Sequence, residues 1–419
     1  MKKYLSLILV CVLICSLFVG CEKNEILTPP DTLPSTHNPK EPTINTNASK
    51  MELDTYILDS AYAATGENTM FSPLSLDMAL GMVAEGAGSE YQTIFTKLLG
   101  RENYSEFAIQ YMDYLEKLNE DVDTEWDKYK TVFELANSVW VEDKYTPIEK
   151  FENKLEHFSA EINVLDFEDI AGTVFKINNW CNEKTHEMIP AIISEDDISE
   201  DTTAIVVNTV YFESPWLEEW VESKDNNKFK LSDGSKIDAN MMITSTSLYY
   251  ENAQATAFGC SYRNGLTFIG ILPKETGEFC LSDLDISSLL VNATTKYDVD
   301  VKMPTFKFEN NIENLKDSLT NAGYGILFDK NMGIFTQMLK DENSNIEITI
   351  DNIIQMCAIE LDEKGTKAAA ATAVLTCGVT SVSPQRQTKE VILDRPFAFL
   401  IYDSQMNQIV FMGKVVNPA

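Results

Sequence analysis

The chain reads as one large α+β domain over residues 50–419, and three observations carry that expectation. Ser72-Pro73 opens a stretch with helical apolar spacing. Residues 203–212 have the β-branched, apolar composition of a strand buried on both faces. Residues 353–361 read as a second buried strand, which runs through Asp362 into Glu363-Lys-Gly-Thr-Lys-Ala-Ala-Ala-Ala-Thr372. No internal repeat and no linker follows residue 50, so the chain is not divided on length alone.

Each element has a physical reason. The Ser72 hydroxyl is a good cap and Pro73 suits the first helical position. Leu76, Met78, Ala79, Met82 and Val83 then follow at near-helical spacing. Asn208 lies inside the first strand and needs partners if buried. The tiny-residue segment holds no Pro and a single Gly, so it is not an ordinary tight turn. With a period of two, Thr366, Ala368, Ala370, Thr372, Val374 and Thr376 share one small, uncharged face. Lys367, Ala369, Ala371, Ala373, Leu375 and Cys377 share the other, which carries its one charge at Lys367. Such a segment can live outside as a loop or inside as a strand.

Four motifs give this pattern a family. The segment from Glu363 resembles the reactive-loop hinge of the serpins. Asn68-Thr-Met-Phe-Ser-Pro-Leu-Ser-Leu76 is similar to that family's entry to its second helix, and Asn208-Thr-Val-Tyr-Phe-Glu-Ser-Pro-Trp216 to its central-strand motif. Asp394-Arg-Pro-Phe-Ala-Phe-Leu400 and Phe411-Met-Gly-Lys-Val-Val-Asn-Pro418 resemble its closing strands. The resemblance implies three β-sheets, about eight to nine helices and an exposed reactive loop at about residues 363–390. It further implies that Ser72, Ser75 and Asn208 meet Gln355 in a hydrogen-bonded latch where the central sheet parts. Trp216 would pack at the end of the sheet where the loop first enters. Glu363, Gly365, Thr366, Ala368, Ala370 and Thr372 would form the hinge. No bulky or charged side chain lies on its inward face, which implies an inhibitor of serine, and also cysteine, endopeptidases rather than an enzyme. A non-inhibitory, serpin-like surface binding protein is the alternative.

The family's count of sixteen residues from the Glu matching Glu363 places the scissile bond at Val379-Thr380 and implies an elastase-like target. Thr376, Cys377 and Gly378 offer neighbouring cut points. Counting back from Asp394 lands near Gln385-Arg386 instead, which leaves the loop about six residues longer than usual after Val379-Thr380. Arg386 invites a trypsin-like enzyme, but the loop upstream would then be too long to insert productively.

Residues 1–20 read as a secretory signal: Lys2-Lys3, an apolar run over residues 4–19, then Gly20-Cys21. Leu17-Phe-Val-Gly-Cys21 resembles a bacterial lipoprotein processing site, with lipid on Cys21 holding the protein to a membrane, the outer one. Glu22 behind it is similar to surface-export signals. Residues 21–49 are Pro/Thr/Asn-rich and read as a tether.

The chain has 33 basic and 65 acidic residues, a net charge of −32. Without the two lysines of residues 1–20 the count is 31 against 65. Phosphate backbones are repelled by such a surface, which argues against a nucleic-acid partner, and a basic protease is favoured. Glu195-Asp-Asp-Ile-Ser-Glu-Asp201 lacks the ligand and glycine spacing of a calcium loop, and no metal or other cofactor is expected. Cys181, Cys260, Cys280, Cys357 and Cys377 are an odd set with no ligand spacing, so no disulfide framework is expected. The histidines are His37, His157 and His186, and His186-Glu187 has no second His four residues on. Neither a nucleophile elbow nor a phosphate loop is present. The expected protein is a monomer that meets a serine protease covalently.

Overall fold

Ser49 starts the first helix, Lys50–Thr65: its side chain accepts from the Glu52 amide while the Glu52 carboxylate accepts from its own. A computed structural model of the protein describes residues 48–120, 122–123, 128–199, 202–225, 227–312, 314–340, 348, 353–366 and 386–419. Ser72 caps the helix Pro73–Glu85 as expected, with Pro73 in the first turn. That helix is buried along its whole length, so it cannot be a surface element. It packs between the strand Ala204–Pro215 and the strand Gln408–Val415.

Among the described residues there are eight α-helices and three large sheets of four, six and seven strands. The seven-stranded sheet is central. Its order begins with Ala160–Leu165, then Val132–Glu142, then Ala204–Pro215. On the far side Met356–Asp362 pairs with Phe306–Asn311. The expected strand at 353–361 is therefore two pieces, Ile353–Ile354 and Met356–Asp362, which break at Gln355. The two cores follow from the two faces. Val206, Val210, Phe212, Cys357, Ile359 and Leu361 face the large core around the helix Pro73–Glu85. Trp140, Ile205, Val207 and Ile354 face a smaller core under the helix Ile170–Lys184. No described helix is long and apolar enough to cross a membrane.

Candidate functional site

The central sheet is joined at two ends and open between them. At one end Ile353–Ile354 pairs in parallel with Val206 and Val207. At the other, the short strand Gly365–Thr366 lies between Asp362 and Leu361 on one side and Pro215 and Ser214 on the other. Between these contacts, residues 208–213 of the strand Ala204–Pro215 have no ladder partner on this side among the described residues. Their other side is paired throughout with Val132–Glu142. The result is a lane between two parallel strands, with Val210, Phe212, Cys357 and Ile359 on its core-facing side and hydrogen bonds closing each end.

The lower end is a chain of buried polar groups. The Gln355 side chain accepts from the Ser72 amide at 2.9 Å and donates to the Ser72 carbonyl at 3.0 Å. The Ser72 hydroxyl donates to the Val410 carbonyl at 2.6 Å and accepts from the Ser75 amide at 3.1 Å. Ser75 donates to Asn208, Asn208 donates to Asn137, and Asn137 donates to the Phe158 carbonyl. Gln355 and Asn208 are thus linked through the two serines rather than touching. Asn137, directly opposite Asn208 in the ladder, completes the chain. Sequence reasoning missed it, although an Asn inside the otherwise strand-like run at 132–141 was the same signal that marked Asn208. Cys357 lies at this point with its thiol 3.7 Å from the Gln355 oxygen, and burial pushes its pKa up to about 12. The four described cysteines are buried, and none of them is in a disulfide.

The upper end is aromatic. Trp216 stacks on Tyr262 with ring centroids 4.4 Å apart and 10° between the planes. Its indole donates to the Asp362 carbonyl at 2.8 Å, and its amide donates to the Lys364 carbonyl at 2.9 Å. The Trp220 amide donates to the Glu363 carbonyl at 3.4 Å. Asp362 accepts from the amides of Lys364 and Gly365, which turns the chain back into the lane. Gly365 has φ +154, and a Cβ there would meet the Ser214 carbonyl oxygen at 2.2 Å, so only glycine allows this approach. Thr366 is buried, and its hydroxyl lies 2.6 Å from the Tyr262 hydroxyl. Burial holds that phenol well above its ordinary pKa, so it stays protonated. Nothing local in the sequence marked Tyr262.

The other end of the loop is held in the four-stranded sheet. Gln387–Ile392 pairs in parallel with Tyr297–Pro304, and Arg386 lies 3.8 Å from Asp298. The exposed loop read at residues 363–390 is therefore shortened at both ends. Gly365 and Thr366 already lie in the central sheet because a residue without Cβ can pass Ser214, and Gln387 onward finds a free strand edge. Ala368, Ala370, Thr372, Thr376, Cys377, Gly378, Val379 and Thr380 lie outside the described residues, as does Cys21. Glu195-Asp-Asp197 forms a single short turn, with Ser194 and Asp197 bonded reciprocally.

Residues 53–418 match the family described as "Serpin (serine protease inhibitor)". A serine protease inhibitor of Cyanea capillata is 28% identical over 84% of this chain and 93% of its own length. An uncharacterized serpin-like protein of Methanosarcina acetivorans is 30% identical over 84% of this chain and 82% of its own length. The crystal structure of the thermophilic serpin tengpin in its native state superposes with a TM-score of 0.71 at 27% identity, covering 90% of this chain and 96% of that one. With residues 53–418 matched, the chain belongs to the serpin family.

Proposed function

We propose that the protein is a suicide-substrate inhibitor of serine endopeptidases, with cysteine endopeptidases as a further class and an elastase-like enzyme as its target. The observation that carries this reading is the lane itself, with Gly365–Thr366 already seated at its mouth. Extending the ladder from Thr366 opposite Ser214 and Leu361 sets Thr372 opposite Asn208 and Gln355. The inserting strand would then reach the polar chain at its sixth residue beyond Thr366, and would have to part Ile353–Ile354 from Val206 and Val207 to go further. Once inserted, its small face, Ala368, Ala370 and Thr372, would point into the large core beside Phe212 and Val210.

In this mechanism the protease's serine oxygen attacks the Val379 carbonyl carbon. The bond to the Thr380 nitrogen breaks, that nitrogen leaves as an amine with the proton, and an ester remains. The freed end zips into the lane as a new strand, a case of strand addition driven by released strain. An added strand closes about ten backbone hydrogen bonds at roughly 0.5–1.5 kcal/mol each, about 5–15 kcal/mol. That equals the stability of an ordinary domain and suffices to distort the active site of the protease carried with it.

The protein acts as a monomer, exported and held through lipid on Cys21 to a bacterial outer membrane. The basic start, the apolar run over residues 4–19 and Gly20-Cys21 support that address. Its acidic surface suits a basic protease and repels nucleic acid. Mixing the protein with neutrophil or pancreatic elastase, followed by a denaturing gel and intact-mass analysis, tests the reading. A covalent complex with release of the peptide beginning at Thr380 is expected. Cleavage without a complex would replace it with a substrate-like, non-inhibitory serpin.

A further inference from the structure

The seat of Thr366 is more specific than insertion alone requires. Any small residue fits the lane, yet here two buried hydroxyls meet at 2.6 Å inside an aromatic box. Tyr262 is held there from several sides. Its ring stacks on Trp216 and meets Phe212 edge-on at 5.1 Å. Its amide donates to the Leu266 carbonyl at 2.8 Å. The next residue, Arg263, donates from its amide to the Pro215 carbonyl at 2.9 Å and from its side chain to the Trp216 carbonyl at 3.3 Å. The frame that fixes the phenol is thus the end of the strand that Thr366 pairs with. A hydroxyl delivered by so rigid a frame, 104 residues away in sequence, recognises the side chain opposite it.

We propose that Tyr262 is the positioning residue that seats Thr366 in the sheet of the uncleaved protein, and so sets how firmly the hinge is held there. Removing either hydroxyl leaves the other buried without its partner, whereas removing both leaves none. The seat rests on the geometry alone, while its effect on a protease rests on the inhibitor reading above. With the pair intact, Thr366 holds the hinge in the sheet. With the pair broken, the hinge withdraws more often and the free loop lengthens from the Asp362 turn.

Hydrogen exchange followed by mass spectrometry on the full chain tests the seat without any protease. Tyr262→Phe and Thr366→Val are each expected to speed exchange at Gly365 and Thr366 about tenfold, with Val410 to Met412 unmoved. The double variant should lie closer to wild type than either single one, since a mere loss of packing would add. Wild-type protection in both single variants, or additive loss in the double, would overturn the proposal. Should Tyr262→Phe fail to fold, Thr366→Ser against Thr366→Val decides, because only Ser keeps the hydroxyl. An equal exchange rate in those two would also overturn it. The consequence is read separately as a faster association of Tyr262→Phe with elastase, and an unchanged rate beside raised exchange would overturn that part. Absence of inhibition in the wild-type chain would sink the functional reading and leave the exchange result standing.

Discussion

Lys367 supplies the sharpest test of insertion, because the ladder fixes what it must meet. Thr366 lies opposite Ser214 and Leu361, so the next position falls opposite Glu213 and Glu360. Both carboxylates stand on the outer face, away from the core that Thr366 enters. Glu360 already pairs with Lys307 at 2.9 Å across the neighbouring strand. Insertion of Lys367, itself outside the described residues, would complete a row of alternating charge: Glu213, Lys367, Glu360, Lys307. An opposite-charge pair directly across a ladder contributes about 0.2–1 kcal/mol, and like charges cost a similar amount. Lys367→Glu reverses two such pairs, a swing of about 1–4 kcal/mol. Water reaches Glu360, so the lower part of the range applies, about 1–2 kcal/mol, or roughly 5–30-fold in the rate of a step that depends on it. On the proposed mechanism this row would close first, while the acyl-enzyme is still waiting to hydrolyse. Lys367→Glu should therefore raise the number of inhibitor molecules consumed per protease inactivated by several-fold, measured by titrating elastase to zero activity. Adding Glu213→Lys should bring that number back toward wild type. An unchanged titration in Lys367→Glu, or no rescue by Glu213→Lys, would refute the register and with it the inserting strand.

Thr366→Arg would place a guanidinium among Tyr262, Trp216 and the sheet, where burying an unpaired charge costs several kcal/mol. The variant should be cleaved by elastase without forming the covalent complex, and surviving inhibition on a denaturing gel would overturn the insertion account. Gln355→Ala leaves the Ser72 amide without its partner, while the Ser72 carbonyl keeps the Leu76 amide, so urea unfolding should show a loss of about 1–3 kcal/mol. Glu161 accepts from the Trp180 indole at 3.0 Å and pairs with Lys184 at 2.8 Å, and the Lys184 hydrogen bond holds its carboxyl below the usual 4.5. A carboxyl lowered on folding stabilises above its ordinary pKa and loses that contribution as pH falls through the lowered value. Trp180 fluorescence should thus show a transition below about pH 4.5 that Glu161→Gln abolishes.

How much of this was readable depends on the range over which each signal acts. The Ser72 cap and the Pro73 start are local, and they stand as read. The strand at 203–212 was legible from composition because both of its faces are buried, and the structure extends it to Pro215. Gln355, Ser72, Ser75 and Asn208 were each visible, but their order was not: register decides that Asn208 faces Asn137 and that Gln355 turns to the Ser72 main chain. Thr366 shows the limit most plainly. Its run of Ala and Thr tolerates both loop and strand, so composition cannot say which residue is already inside. That choice is made by Gly365 passing Ser214 and by Tyr262 from a distant hairpin.

The same geometry limits how far an intact loop can enter the sheet. Its upper end is in the central sheet, while Gln387–Ile392 is tied to Tyr297–Pro304 in another. Residues 367–386, twenty in all, must join these two points. Every residue that enters the lane shortens what remains, and reaching Thr372 would use six of them. At that depth the entering strand also meets the bonds around Asn208 and Gln355, so chain shortage and broken hydrogen bonds oppose it together. On the proposed mechanism, cutting at Val379-Thr380 would remove the first cost and leave only the second, which roughly ten new backbone bonds would outweigh. On the same reading, the loop's extra residues after that bond would slacken the tether in the uncut chain. The intact protein should therefore lose inhibitory activity on standing, as the uncut loop slowly enters the sheet. Deleting residues 380–385 should slow that loss several-fold, with incubation at a fixed temperature followed by elastase titration as the measure. A deletion variant that loses activity as fast as the full chain would show that the polar chain at Asn208 and Gln355, rather than the tether, holds the loop out.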